Sequence, residues 1–202
     1  DLTTNDPEKQ MADQSGGLTP DVTGAENHTT ILTIAPSPVE RGVLWVGTDD
    51  GNVQLTRDGG LSWTNMVDQI EGIRPNSWVP HIEASKFEGG TAFVIFDDHR
   101  RGDNKPYVFK TTDYGTNWTS LVTPDIEVFN FVHVIEQDPV EANLLFLGTE
   151  HGMYVSLNGG EKWHLWRHGL PRAPTRALVV HPRDHDLVIG THGRSVYILD
   201  DV

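Results

Sequence analysis

Apolar residues along this chain come in short runs that turn-forming residues interrupt every few positions. Four runs are comparable, and each follows another apolar stretch that mostly ends near a proline. The runs are 43–48, 91–96, 144–149 and 187–191, and the stretches before them are 31–36, 81–84, 132–139 and 177–182. They are rich in Val, Ile, Phe and Trp and are bounded by Gly, Pro, Asp and Asn, which is typical of short strands joined by hairpin turns. Since no stretch of more than ten residues keeps a helical period, the pattern predicts an all-β chain.

An eight-residue phrase occurs three times, at 56–63, 111–118 and 156–163, and its tryptophans lie 55 and 45 residues apart. The template is hydroxyl, any, Asp or Asn, any, Gly, any, any, Trp. A short carboxylate or amide accepts hydrogen bonds from backbone N–H groups in a tight turn, and glycine adopts a conformation closed to other residues. The tryptophan is expected to open the next strand and to be buried under the turn. The residues assigned to these structural turns are Thr56, Asp58, Gly60 and Trp63, then Thr111, Asp113, Gly115 and Trp118, then Ser156, Asn158, Gly160 and Trp163.

Each repeat is predicted to hold four strands, A to D, with the eight-residue phrase as the C–D turn. The repeats span 28–67, 78–122, 130–167 and 174–202. Four strands in about 40 to 50 residues is the size of one β-propeller blade. The predicted fold is therefore a β-propeller of four-stranded antiparallel blades, with about four blades present as part of a larger propeller. A complete four-blade ring and a ring completed by other chains are the alternatives.

Residues 1–27 form a polar segment that leads into the first repeat. Its first residues are predicted to be either the D strand of a neighbouring blade or a latch that completes the fourth blade against 196–199. The polar, glycine- and proline-containing remainder is typical of a long loop.

The repeated turns resemble the Asp-box, or BNR, repeats of sialidases, of the sortilin (Vps10) ectodomain and of several glycoside hydrolases. The whole repeat, with its Gly-Thr turn and closing Gly-Thr-His-Gly-Arg sequence, is most similar to bacterial sortilin-like and "glycosyl hydrolase" BNR-repeat proteins. This resemblance covers 28–202 and implies a sialidase-like propeller, but it does not specify an activity. Two departures are Asn158 in place of Asp and a fourth repeat that ends where its own phrase would begin.

The formal net charge of −14 argues against a nucleic-acid partner, because phosphates require Lys and Arg. It also argues against adsorption to anionic membranes, and no apolar stretch is long enough for membrane insertion. The absence of cysteine fits a cytosol, a bacterial periplasm or a cell surface and excludes only a disulfide-stapled scaffold. The predicted location is extracytoplasmic: secreted, periplasmic or at the cell surface. No cofactor is predicted.

Propeller topology separates two faces. The A–B and C–D turns, with the Asp boxes, emerge on one face, which we call the box face. The B–C turns and D–A crossovers emerge on the other, the loop face, where a pocket for a glycan or a peptide is predicted. Solvated turn residues without a ligand are the alternative, and no ligand spacing indicates a metal site. The predicted loop-face residues are His28, Arg74, Trp78, His81, His99, Arg100, His133, His151, Arg176, His192 and Arg194.

Glycoside hydrolysis needs two carboxylates across a cleft. The candidates, all in B–C turns, are Asp49, Asp50, Asp97, Asp98 and Glu150. Acidic pairs in glycine-rich turns more often serve turn geometry, and none of the four tyrosines suits a sialidase nucleophile. The sequence therefore favours a non-catalytic recognition or scaffold propeller that binds protein or polysaccharide. A glycoside hydrolase with part of its site in missing blades and a structural subunit of a larger assembly are the alternatives.

Overall fold

The computed structural model describes residues 1–10, 28–126 and 128–202, and these form four antiparallel sheets with three 3-10 turns. Each sheet is a simple meander whose strands pair in chain order, so the all-β prediction is confirmed. The first sheet holds β1 (Ile31–Pro36), β2 (Leu44–Thr48), β3 (Val53–Thr56) and β4 (Thr64–Asn65); the second holds β5 (Trp78–Ala84), β6 (Ala92–Asp98), β7 (Asp103–Thr111) and β8 (Thr119–Ser120). The third holds β9 (Val132–Gln137), β10 (Leu145–Thr149), β11 (Gly152–Ser156) and β12 (His164–Leu165), and the fourth β13 (Thr175–Val180), β14 (Leu187–Thr191) and β15 (Val196–Leu199). The 3-10 turns are Pro7–Lys9, Val67–Gln69 and His99–Arg101.

The four sheets, here called blades one to four, stack through three apolar cores. Side chains on β6 alternate between them: Val94 and Phe96 pack toward blade one, while Phe93 and Ile95 pack toward blade three. Because both faces of this strand are buried, it is apolar from Ala92 to Phe96, as central strands are.

The outer faces of blades one and four are less covered than the faces between blades. Ile34 on β1 is 60% exposed, and Val179 on β13 and Ile198 on β15 are 55% and 60% exposed. In blade three, the position equivalent to Val179 is Glu136, which is buried against blade four. The exposed apolar rows therefore occupy positions that a further blade covers elsewhere in the fold.

Glycine on the second strand of a blade lets the next blade approach closely. A Cβ on Gly47 would lie 2.5 Å from Cγ1 of Val79 on β5, and one on Gly148 would lie 2.5 Å from the carbonyl oxygen of Thr175 on β13. Real Cβ atoms do not tolerate such distances, so the repeated Gly-Thr sequence marks the points where neighbouring first strands converge.

The three repeated C–D turns share one hydrogen-bond set. In the first, the Thr56 hydroxyl donates to Asp58 Oδ1 (2.8 Å) and accepts from the Gly60 N–H (2.9 Å), and Asp58 Oδ1 also accepts from the Ser62 N–H (2.9 Å). The second turn, from Thr111, and the third, from Ser156, repeat these bonds within 0.1 Å. An amide oxygen therefore closes the third turn in place of a carboxylate.

In the first two turns the second carboxylate oxygen of the Asp accepts one more hydrogen bond, for which Asn158 of the third turn has no second oxygen. Asp58 Oδ2 accepts from the Ser62 hydroxyl at 2.5 Å, and Asp113 Oδ2 accepts from the Asn117 amide at 2.6 Å. The side-chain bond from Ser62 is the main reason that the pKa of Asp58 is lowered to about 2.

The tryptophans of these turns differ from the expectation that each is buried under its own turn and opens strand D. The fourth strands start one residue later and have two residues each. Trp163 is buried and donates to the Leu121 carbonyl of blade two (3.1 Å), while Trp118 is half-buried and packs edge-on against Trp45 of blade one. Trp63 is half-buried and belongs to none of the three cores of the described residues. Trp63 and Trp118 donate their indole N–H groups to the Gly60 and Gly115 carbonyls of their own turns (3.2 and 2.9 Å), while Trp118 and Trp163 also contact the preceding blade.

Residues 1–10 contact blade one. The Leu2 carbonyl accepts from the side-chain amides of Asn52 (3.3 Å) and Gln54 (3.0 Å), and the Thr4 N–H donates to Asp50 (2.6 Å). Residues 1–10 contain no strand and do not pair with β15, so the latch against 196–199 is not formed, while a D strand in a neighbouring blade stays a prediction. The loop predicted for residues 11–27 lies outside the described residues.

Candidate ligand-binding face

Backbone hydrogen bonds place the two classes of turn at opposite ends of the blades. On the box face, the Gly59 N–H of a C–D turn donates to the Gly42 carbonyl of an A–B turn at 2.9 Å. On the loop face, B–C turns donate to the ends of D–A crossovers: Glu150 to the Phe131 carbonyl (3.2 Å) and His192 to that of Pro174 (2.8 Å). The predicted acidic B–C turns therefore lie on the loop face, at the opposite end of the blades from the Asp boxes.

The acidic pair of blade one serves its own turn. Asp49 accepts from the Thr30 N–H at 2.7 Å and lies 3.5 Å from His28, and both side chains are buried. Asp50 accepts from Thr48 Oγ1 at 2.5 Å and from the Thr4 N–H. Burial disfavours ionisation of Asp50, but the bonds from Thr4 and Thr48 outweigh it, so its pKa is lowered. These carboxylates are buried turn acceptors.

The acidic pair of blade two holds cations. Asp98 is buried, with Arg74 Nη1 3.0 Å from one oxygen and Arg101 bonded to the other. Arg101 also donates to the Pro75 carbonyl (2.9 Å) and to Ser77 Oγ (3.0 Å). Asp97 lies next to Asp98 and accepts from both the backbone N–H and Nδ1 of the following histidine, His99 (2.9 and 2.8 Å). Both carboxylates therefore orient basic side chains.

Two stacked pairs lie beside these ion pairs. The guanidinium of Arg100 lies 3.7 Å from the centre of the Trp78 ring. The His99 ring stacks on Phe131 of the next crossover, with centroids 4.4 Å apart and an interplanar angle of 9°. Because a carboxylate only accepts, Nδ1 of His99 is the donor in the bond to Asp97, which fixes the orientation of the ring. Flat cation–aromatic surfaces of this kind are suited to planar ligand groups.

The chain of contacts continues into blades three and four. Phe131 meets His133 edge-on at 5.1 Å, and His133 Nε2 donates to Glu150 Oε2 at 2.9 Å. Arg176 of β13 approaches the same oxygen at 3.6 Å. Burial lowers the pKa of His133 despite the bond to Glu150, so its ring is neutral at neutral pH. We call the connected set the loop-face patch: Arg74, Trp78, Asp97, Asp98, His99, Arg100, Arg101, Phe131, His133, Glu150 and Arg176.

The remaining predicted residues lie apart from this patch. His81 points from β5 to the Ile135 carbonyl of β9 (3.0 Å), and burial lowers its pKa. His151 pairs with Asn130 on the loop face at 3.2 Å. The side chains of His192 and Arg194 are exposed in the turn of blade four and make no hydrogen bond or ion pair with the described residues; only the His192 backbone N–H is bonded, to Pro174. His28 is buried against Asp49.

Sequence reasoning missed an ionic cluster on the first strands. Lys86 Nζ donates to Glu83 (2.5 Å), to Glu136 (3.3 Å) and to the Gln137 carbonyl (2.7 Å), while Glu136 also accepts from the Val180 N–H at 3.0 Å. Burial, and then the charge of Glu83, raise the pKa of Glu136. All three ammonium protons are used, so the cluster ties blades two, three and four together. No sequence signal connects residues 50 positions apart on separate repeats.

Comparison with known proteins shows the fold alone. Neither a protein-family model nor a curated protein matches the chain. Among solved structures, it is similar to an ancestral GH74 enzyme (TM-score 0.62, 18% identity), covering 83% of this chain and 22% of that one. It is also similar to YCF48 bound to D1 peptide (TM-score 0.60, 16% identity), covering 85% of this chain and 51% of that one.

A third similar structure is the extracellular domain of a putative hybrid two-component system from B. thetaiotaomicron (TM-score 0.63, 16% identity), covering 85% of this chain and 22% of that one. The chain spans between about a fifth and a half of the length of these three structures. The predicted β-propeller fold is confirmed, and its neighbours include both enzymes and binding proteins.

Within residues 1–10, 28–126 and 128–202, no group of three or more His, Asp or Glu side chains is arranged to hold a metal ion. In the same residues, no helix is long and apolar enough to cross a membrane.

Proposed function

We propose that this chain is a non-catalytic recognition propeller that binds a segment of a partner protein through the loop-face patch. The observation that carries the proposal is that each carboxylate of the patch is bonded to a basic side chain. Asp98 is held by two arginines, Asp97 by His99, and Glu150 by His133 with Arg176 alongside. The acids therefore orient the exposed side chains of Arg74, Arg176 and His99, which is an arrangement for binding.

The chemistry of the patch favours a ligand with anionic or planar groups. Arg74 and Arg176 keep 54% and 53% of their side chains exposed although each is near a carboxylate. A guanidinium with free N–H groups recognises carboxylates and peptide carbonyls in a fixed geometry. The similarity to YCF48, whose structure contains a peptide, supports a peptide ligand. A polysaccharide is the second candidate, since the partly exposed ring of Trp78 lies among these polar groups.

A glycoside hydrolase is the enzymatic alternative, and the similarity to GH74 enzymes is its support. That activity requires one carboxyl to act as an acid and a second to act as a base or nucleophile. Asp98 is buried with an arginine bonded to each of its oxygens, so it does not present a carboxyl group to a cleft. A structural subunit is the other alternative, and the exposed outer faces at Ile34 and Ile198 support it.

The shared hydrogen bonds of the three C–D turns support their assignment as Asp boxes of the BNR type, and with it membership of the sortilin-like, sialidase-like propellers. An extracytoplasmic setting, secreted or in the cell envelope, fits the absence of cysteine and the extracellular neighbour. With a net charge of −14, neither nucleic acid nor an anionic membrane surface is proposed as a partner.

The test compares ligand capture by the wild type with capture by single variants. Pull-down from the source organism and a glycan array are run with His99→Ala, Arg176→Met and a control, Arg183→Met, whose arginine is exposed and paired with Asp184 on the box face. Capture of one protein that both loop-face variants lose and the control keeps supports the proposal. Equal capture by all four proteins contradicts it, and release of sugar that Asp97→Asn abolishes supports the hydrolase instead.

A further inference from the structure

A groove of about 840 Å³ opens on the outer rim of blade two, outside the loop-face patch. Ligand pockets in proteins commonly hold roughly 300–1,000 Å³, so its size suits a bound peptide segment. Its walls come from β7, from the crossover between blades two and three, and from Glu71 and Gly72 of the preceding crossover, and eight of its thirteen lining residues are apolar or aromatic. The apolar lining is Pro106, Tyr107, Phe109, Val122, Pro124, Ile126, Val128 and Phe129.

The groove exists because the third strand of blade two is longer than its neighbours. β7 has nine residues, whereas β3, β11 and β15 have four or five. β8 pairs only with Phe109 and Lys110, and the Leu121 N–H adds a bond to the Val108 carbonyl at 2.8 Å. Residues 103–107 lie beyond these bonds, and on this side no strand of the described chain pairs with them.

The crossover wall is held in place by its own hydrogen bonds. The Ile126 N–H donates to the Thr123 carbonyl (2.9 Å) and the Val128 N–H to the Ile126 carbonyl (2.8 Å). The Phe129 N–H donates to the Tyr154 hydroxyl of blade three at 3.1 Å, while the Phe129 side chain stays 61% exposed. The groove is therefore preformed, which lowers the entropy cost of binding.

The charged residues of the described lining are Glu71 and Lys105, and they differ in whether a neighbour pairs with them. Tyr107 donates its hydroxyl to Asp103 at 2.9 Å; burial and this bond raise its pKa to about 12, so the phenol stays neutral. Lys105 lies 3.8 Å from the same Asp103 carboxylate. Glu71 lines the groove and forms no ion pair with any described residue. Among the described lining residues, Glu71 thus presents a negative charge beside an apolar surface.

We propose that this groove binds an extended, proline-containing apolar segment of a partner protein, with a Lys or Arg of that segment placed against Glu71. Addition of a β-strand is disfavoured, because Pro106 lacks an N–H and the β6–β7 pairing is irregular between Phe96 and Asp98. Aromatic and proline-lined grooves instead bind polyproline II segments through their side chains. The chain's net charge of −14 favours a basic partner as well.

The test uses a fluorescent nine-residue peptide of Pro and Leu with one central Arg, measured by fluorescence anisotropy. Two control peptides replace the Arg by Glu, or replace Pro and Leu by Gly and Ser. We expect the Arg peptide alone to bind the wild type, Phe129→Ser to weaken binding by about tenfold, and Glu71→Gln by about fivefold. Glu71→Lys should reverse the preference and select the Glu peptide.

Matched controls separate this site from the loop-face patch. Phe87→Ser removes another exposed aromatic, 38% exposed and outside the groove, and should leave peptide affinity unchanged, as should Arg176→Met in the patch. All variants are checked for folding by circular dichroism. Equal binding of the Arg and Glu peptides, unchanged affinity in Phe129→Ser, or no binding of the Arg peptide at millimolar concentration would overturn the proposal. None of these outcomes bears on the loop-face ligand.

Discussion

The indole rings of Trp45 and Trp118 meet edge to face across the boundary of blades one and two, with centroids 5.9 Å apart and planes at 78°. Trp45 is fully buried on a second strand, and Trp118 follows a C–D turn of the next blade. The repeated tryptophan therefore stabilises the joint between consecutive blades, and its importance depends on whether a preceding blade is there to receive it.

Substituting the three turn tryptophans should give a graded loss of stability. Trp163→Ala and Trp118→Ala are expected to lower the free energy of unfolding by roughly 3–5 kcal/mol, because burial and an interblade contact are lost. Trp63→Ala should cost less than about 1.5 kcal/mol, since its ring belongs to no core. Urea unfolding followed by circular dichroism measures the three values. A loss at Trp63 as large as that at Trp118 would contradict the interblade role.

The first C–D turn should weaken in acid. The folded-state pKa of Asp58 is lowered to about 2 from an ordinary value of 3.8, so its stabilisation is present above pH 4 and is lost as pH falls toward 2. Asp58→Asn supplies an amide oxygen, as Asn158 does in the third turn, but its side chain cannot ionise. The urea midpoints of wild type and Asp58→Asn should therefore differ at pH 6 and converge near pH 2. Parallel curves over that range would show that the carboxylate charge is not the cause.

Removing the ammonium of Lys86 should lower the free energy of unfolding, because it links blades two, three and four. Lys86→Met leaves Glu83 and Glu136 facing each other without a cation, and breaking such a buried pair costs about 3–5 kcal/mol. The lower end, about 3 kcal/mol, is expected because Lys86 keeps 24% of its side chain exposed. Lys162→Met, at an exposed position, is the control. Adding Glu136→Gln to Lys86→Met should restore part of the loss, and no restoration would argue against carboxylate repulsion.

The uncovered apolar rows should drive association. At micromolar concentration the isolated chain is expected to self-associate through Val179 and Ile198 of blade four and Ile34 of blade one, since sheet faces of this kind are covered elsewhere in the fold. Ile198→Glu should reduce the mass seen by light scattering, whereas Leu157→Glu, at a residue 71% exposed in a C–D turn, should not. A monodisperse 22.5 kDa wild-type monomer would contradict this expectation.

The features that sequence predicted are those that depend on neighbours along the chain. The turn from Thr56 to Trp63 closes through bonds within eight residues, so its spacing was sufficient to predict it. The two-residue fourth strands, such as β4, were harder to place because both residues are exposed and carry no apolar pattern.

Contacts between repeats could not be predicted in the same way. The stack of His99 on Phe131 and the bond from Lys86 to Glu136 join residues 32 and 50 positions apart. Their partners depend on how one blade is rotated against the next. Sequence placed many of these residues on a common face, but it gave no information on which side chains would touch, and it missed the groove formed by the long β7.

The close approach at Gly47 and Gly148 has a geometric consequence for the whole ring. A blade is a wedge, thin near the axis and thick at the rim, and the angle of that wedge decides how many copies fill a circle. Glycine keeps the thin edge as narrow as the backbone allows, because a single methyl group would collide with the adjoining first strand. Gly148→Ala would therefore push blade four away from blade three on the side of their first strands, and the angle between these two blades would change.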